Sequence, residues 1–264
     1  MRKFSFSRKS LGVPYALFLL VFVIAPLLVL FYYAFTDGQG QFTIANLTGF
    51  FTNPNTLGTL CYSFALAIVT TAVCLLLAYP IAYILAFSNI KSKSVILMLF
   101  VMPMWINFSL RITALKEVLT VLEGNLAMHP FLNAVIGMTY DFLPFMVMPI
   151  YNVLAKIDDR VIEAARDLGA NNFQVFRYII LPLSVPGIVS GVTMVFVPAL
   201  TTFVISNMLG GGKILLIGNV IEQEFTVGNN WHLGAGLSLV MMIFILVSMA
   251  FIAKFDKNGE GNTF

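Results

Sequence analysis

Six stretches of this chain are long and apolar enough to cross a lipid bilayer, and nothing else in the sequence constrains its fold as strongly. A spanning helix needs about 20 predominantly apolar residues. The qualifying segments are 11–35, 59–87, 94–112, 131–154, 183–207 and 235–255. Hydrocarbon offers no partner for backbone N–H and C=O groups, so a spanning segment of this length satisfies them within its own helix. Of the 264 residues, 59% are hydrophobic and 10% charged, against about 25% charged in soluble domains. The expected fold is therefore all-α and integral to the membrane, with residues 1–264 forming one domain and no room for a sizeable soluble module.

Lys and Arg distribution orients the spans, because short cytoplasmic loops collect positive charge. With a cytoplasmic N-terminus, the inner segments hold Arg2, Lys3, Arg8, Lys9, Lys91, Lys93, Lys156, Arg160, Arg166, Arg177, Lys254 and Lys257, and the outer ones only Arg111, Lys116 and Lys213. Both termini are thus expected in the cytoplasm. The basic start followed by an apolar run resembles a signal peptide, but the run from Leu11 to Phe35 is long enough to span and lacks a small-residue cleavage pattern, so it reads as a retained first helix. A net charge of +3 gives no reason to expect a nucleic-acid partner. Cys61 and Cys74 fall in one apolar segment, about 20 Å apart along a helix and too far for a disulfide. Pro26, Pro80, Pro103, Pro144, Pro149 and Pro198 lie inside spans, where kinks suit a transport path without demanding one.

The outer loops have separate characters. Residues 36–58 are turn-rich in Gly, Asn and Thr. Residues 111–130 place Leu115, Val118, Leu119 and Leu122 in the pattern of a short amphipathic helix. Residues 208–234 open on Gly210-Gly211-Gly212 and continue into an apolar run at 214–224 that reads as surface-lying or re-entrant.

Between the fourth and fifth spans lies a polar island, EAARDLGANNFQVFRYIILP, from Glu163 to Pro182. Asp158 or Asp159 can cap a helix running to Leu168, with Val161, Ala165 and Leu168 on one face. Gly169 can take positive φ and end it. Asn171 or Asn172 can cap a second helix that reaches Ile180 and meets Pro182. From residues alone, such a helix–turn–helix serves equally as an interfacial anchor or as a rigid knob for a soluble partner. The joint pattern of Glu163-Ala164-Ala165, Gly169 and the Ile179-x-Leu181-Pro182 exit resembles the cytoplasmic coupling loop, residues 158–182 here, of binding-protein-dependent ABC importer permeases. That resemblance implies the type I importer permease fold. It implies docking on a cytosolic ATPase through Glu163, Ala164, Ala165 and Gly169, with Arg166 and Asp167 beside them. It also implies a second homologous permease, two ATPase subunits that use ATP and Mg, and an extracytoplasmic binding protein.

Three further segments resemble spermidine/putrescine permeases: Met102–Phe108 with Leu110-Arg111-Ile112, Leu143–Tyr151, and Gly210–Ile221. A polyamine needs carboxylates or carbonyls for its ammonium groups and aromatic faces for cation–π contact. Asp141, an ionisable residue within a span, Tyr140 beside it, Trp105 and Phe108 are the candidates for the substrate path. Asp141 could instead pair with Arg111, and Trp105 could belong to the interfacial aromatic belt. Arg111 could equally pair with Glu117 or meet an acidic binding-protein surface. Glu222 and Glu224 could guide a cation inward, contact a binding protein or remain solvated in the loop. His129 and His232 lie alone, without metal-ligand spacing. No phosphate-binding G-x-x-x-x-G-K-[ST] loop, H-E-x-x-H or G-x-S-x-G motif is present, so an enzymatic role and a resident cofactor are not expected. An importer of the same type for another small solute, and a membrane scaffold that carries nothing, are the competing readings.

Overall fold

A computed structural model describes residues 12–52 and 54–260. The basic residues Arg2, Lys3, Arg8 and Lys9, and Leu11 at the head of the first expected span, lie outside the described residues. Those described are almost entirely helical: α1 (Gly12–Ala34), α2 (Ala45–Thr52), α3 (Pro54–Phe87), α4 (Lys93–Val101), α5 (Phe108–Glu123), α6 (Pro130–Leu154), α7 (Asp159–Asp167), α8 (Asn172–Thr201), α9 (Val204–Leu209), α10 (Ile217–Thr226) and α11 (Trp231–Glu260). Five of these are long and apolar enough to cross a membrane, and α4 with α5 makes a sixth crossing only as a bent pair.

The expected single domain divides into two compact units. One contains the described residues up to Leu57 together with Ile221–Phe244, and the other runs over Gly58–Val220 and resumes at Ile245. In the first, Ala34, Ala235 and Leu239 form a small core surrounded by Leu30, Tyr33, Phe35, Leu47, Phe225 and Met242. Asn46 closes the end of α1, its Nδ2 donating to the carbonyls of Thr36 at 2.9 Å and Ala34 at 3.2 Å. Those carbonyls have no partner within the helix, so the amide replaces the missing turn.

In the second unit α6 and α8 form the most extensive helix pair. Gly187 and Gly191, spaced as G-x-x-x-G, make the close approach possible. A Cβ on Gly191 would stand 2.7 Å from Met146 Sδ, and one on Gly187 3.0 Å from the Pro149 carbonyl. Lipid tails are as apolar as Leu, so helix association in a membrane depends on this kind of backbone proximity. Along α3, Leu66, Ala67, Cys74, Ala78 and Ala82 are fully buried, again mostly small side chains.

Two expected spans are redrawn. The third does not run straight over 94–112. A 3₁₀ turn at Met102–Trp105 interrupts it, and α5 leaves at 97° to the first half. Pro103 withholds a backbone donor here, and Asn107 starts the new helix by accepting from Ser109 N at 2.9 Å and Leu110 N at 3.4 Å. The amphipathic helix expected near 115–125 is therefore the later part of a longer α5, which stops at Gly124 with φ of 72°. The fifth span starts earlier than 183, because Pro182 does not separate it from the loop. A π turn at Phe176–Ile180 bonds Leu181 N to Phe176 O, and Pro182, having no N–H, follows within one continuous helix. This span ends at Thr201 rather than 207, since Thr202 is extended and α9 begins afresh.

Replacing Gly187 by Leu should force α6 and α8 apart and destabilise the protein by about 1–3 kcal/mol, the usual cost of overpacking. Thermal unfolding in detergent should show a lower midpoint for Gly187→Leu. Gly38→Ala, at a position with open space, should leave it unchanged.

Candidate functional site

The polar island folds as two capped helices with a tight turn between them. Asp158 caps α7 by accepting from Arg160 N at 3.0 Å. The helix ends in a paired closure: Ala170 N bonds Ala165 O at 3.0 Å and Gly169 N bonds Arg166 O at 2.9 Å. Gly169 sits at φ of 87°, which glycine tolerates without a Cβ penalty. The start of α8 is a reciprocal box, with Gln174 N donating to Asn171 Oδ1 at 2.9 Å and Asn171 N to Gln174 Oε1 at 2.8 Å. Arg166 also donates to the Asn172 side chain at 3.4 Å. Every local signal agrees, so the turn holds a fixed shape without a partner.

The face shared by Val161, Ala165 and Leu168 is not the buried one. Ile162 is the buried side chain of α7, while Leu168 is 90% exposed and Val161 about half exposed. Glu163, Ala164, Arg166 and Asp167 are exposed too, and Ala165 is half-buried. Ile162 turns inward and lines a cleft of about 160 Å³ together with Tyr83 and Phe87 of α3, Val175 and Ile180 of α8, and Asp159 and Arg166 of its own helix. This leaves Val161, Ala164 and Leu168, at helical spacing of three and four, as an apolar stripe facing away from the rest of the unit, with Glu163 and Asp167 alongside.

Behind the cleft lies an aromatic joint that the sequence reading overlooked. The Phe176 ring meets Tyr79 and Tyr83 edge-on, both at 5.9 Å between centroids. Tyr83 in turn packs on Phe87 at 5.0 Å, and Tyr79 Oη shares a hydrogen bond of 3.0 Å with Ser184 Oγ. The signal was an aromatic ladder at positions 79, 83 and 87, one turn apart on α3. A displacement of α7 therefore meets α3 and α8 through stiff rings at the π turn.

The four substrate-path candidates do not converge. Tyr140 and Asp141, adjacent on α6, face different ways. Tyr140 is 43% exposed and lines an apolar cleft of about 400 Å³ with Pro103, Phe100 and Leu143. Asp141 is buried and forms an ion pair of 2.5 Å with Arg111 of α5, so Arg111 pairs with neither Glu117 nor an external surface. Trp105, in the turn between α4 and α5, is 72% exposed, and Phe108 at the start of α5 is half-buried. Asn133 adds a second tie between α5 and α6, its Nδ2 donating to Glu123 Oε2 at the far end of α5 at 2.9 Å. The bent pair is thus fastened to α6 by polar bonds at two heights. Among the described residues no cluster of His, Cys, Asp and Glu could hold a metal ion.

Comparisons with known proteins agree with this arrangement. Residues 78–258 match the family described as binding-protein-dependent transport system inner membrane component. The chain is 36% identical over 253 residues to the spermidine/putrescine transport system permease protein PotB of Haemophilus influenzae, covering 87% of this chain and 88% of that one. It is 38% identical over 219 residues to PotB of Escherichia coli, covering 76% and 78%. In fold it resembles a chain of a bacterial ABC transporter involved in import of the acidic polysaccharide alginate, with a TM-score of 0.72, 14% identity and coverage of 97% and 96%. A chain of the MetNI methionine ABC transporter gives a TM-score of 0.57 at 19% identity, covering 79% and 96%. A multi-pass helical chain whose polar loop is folded as a rigid external knob, matched by this family over most of its length, belongs to the inner-membrane permease components of binding-protein-dependent ABC importers.

Proposed function

We propose that the cargo is a polyamine, and that this chain carries it as one of two homologous permease subunits. The observation that carries this reading is the 36% identity to a spermidine/putrescine permease over 87% of the chain. Both termini and the loop of α7 lie in the cytoplasm, as the Lys and Arg distribution requires. Two cytosolic ATPase subunits bind ATP and Mg and supply the energy, and an extracytoplasmic binding protein delivers the cation.

The chain's own part in the cycle follows from its contacts. The Val161, Ala164 and Leu168 stripe enters the partner ATPase, while Glu163, Arg166 and Asp167 set its register by charge. When the ATPase subunits close, α7 moves as a unit because its caps and the Gly169 turn are fixed. Ile162 and the Phe176 joint pass that movement to α3 and α8, and the spans alternate between inward and outward openings. On the path, the Asp141 carboxylate is neutralised by Arg111, so the exposed faces of Trp105 and Tyr140 are better placed to meet an ammonium, each for about 0.5–2 kcal/mol. Phe108 flanks them, and Asp141 contributes if the ion pair opens.

Two experiments follow. In the complete importer with its binding protein, a panel of spermidine, putrescine, amino acids and sugars should raise ATPase activity only for polyamines, and Trp105→Ala should shift the polyamine concentration needed. Stimulation by another solute class would replace the cargo assignment. Glu163→Ala and Gly169→Val should insert normally yet lose most uptake and hold the ATPase weakly in pull-downs. Phe176→Ala should retain ATPase binding while lowering the number of molecules carried per ATP. Uptake at wild-type levels in all three would refute the coupling role.

A further inference from the structure

We infer that the cleft between Tyr33 and the start of α11 is a binding site for a primary ammonium group, separate from the path at Trp105; its assignment to the cargo rests on the polyamine reading. The cleft lies within the unit that contains α1 and the first part of α11. It measures about 530 Å³ and is lined by Tyr33, Gly228, Asn229, Asn230, Trp231 and His232. Its walls are held in place. Gly228 N and Asn230 N bond back to the carbonyls of Gln223 and Glu224 at 2.8 and 2.9 Å. Asn229 takes positive φ of 47° and accepts from Trp231 Nε1 at 3.2 Å. Phe225 braces the Trp231 ring edge-on at 5.5 Å, and Tyr33 packs beside it with centroids 6.3 Å apart.

Three features select a cation. The Trp231 ring is half exposed and, with Tyr33, offers π-faces of the kind that attract ammonium groups. The Glu224 carboxylate lies against Gly228, its Oε2 3.0 Å from where a Cβ on that residue would stand; among the described residues it has no ion-pair partner. Among the described residues no Lys or Arg lines the cleft. The opening of α11 would favour an anion through its free N–H groups, but Asn230 Oδ1 already accepts from Leu233 N at 3.1 Å. His232 Nδ1 lies 3.2 Å from the Tyr33 carbonyl, which can only accept, so that nitrogen is the donor and the contact holds the ring against α1. Aromatic faces and the Asn229 and Asn230 side-chain amides line the cleft, and with the Glu224 carboxylate just behind Gly228 they form a receptor for an alkylammonium end.

Equilibrium binding of radiolabelled spermidine to the assembled importer without its binding protein, in a maltoside detergent free of amine lipids, tests this. Wild type should bind saturably. Trp231→Ala and Glu224→Gln should each weaken a class of sites about fivefold, and Trp231→Phe should retain it. Glu224 lies on a half-exposed face near the end of α10, so its variant remains informative if Trp231→Ala assembles poorly. Equal affinity in wild type, Trp231→Ala and Glu224→Gln, or no saturable binding to wild type, would overturn the inference. Spermidine uptake by the complete wild-type importer, measured in parallel, reports separately on the cargo: uptake with unaltered binding in the variants removes the cleft alone, and absent uptake removes the polyamine reading.

Discussion

The contact on which the rest of the larger unit depends is the backbone approach of α6 to α8 at Gly187 and Gly191. In water such a pair would be driven together by burial, but in hydrocarbon that force vanishes and close packing replaces it. The two glycines bring α8 against Met146 and Pro149. From that fixed pair, α8 runs unbroken into the polar loop at one end, while α6 anchors the bent α4–α5 segment through Asp141 and Asn133. Coupling loop and candidate path are therefore attached to one rigid helix pair.

The polar bonds of α6 deserve a separate account. A charged residue in a span is costly unless paired, and removing one partner of a buried pair costs more than removing both. Arg111 and Asp141 sit where α5 has turned 97° away from α4. Their ion pair brings the two opposite charges together and ties α5 to α6 just beyond the bend. The same residues could read as substrate ligands in a sequence; in the folded chain they hold the bend in position first.

Much of this was legible beforehand, and the failures share a cause. Asp158, Gly169 and Asn171 were readable because capping and positive-φ signals are local and act within a few residues. The inward residue of α7 was not legible, because Val161, Ala165 and Leu168 form as good a helical stripe as Ile162 with Ala165. Only the cleft between α3 and α8 decides which stripe is buried. The break at Met102–Asn107 had its own local signals, Pro103 and the Asn107 cap, but the continuous apolar run over 94–112 outweighed them. The Tyr79, Tyr83 and Phe87 ladder was visible, yet nothing in the sequence indicated that Phe176 would meet it from 90 or so positions away along the chain.

What distinguishes the loop is that its packed and exposed faces differ: Ile162 is committed to the permease, and Leu168 is left outside for the proposed docking. Placing a photoreactive p-benzoylphenylalanine at position 168 of the assembled importer tests that division directly. Irradiation should join this chain to an ATPase subunit, with a yield that changes when ATP is added, whereas the same probe at Ile162 should not do so. Cross-links from position 168 to lipid or to this chain alone, with or without ATP, would contradict the account.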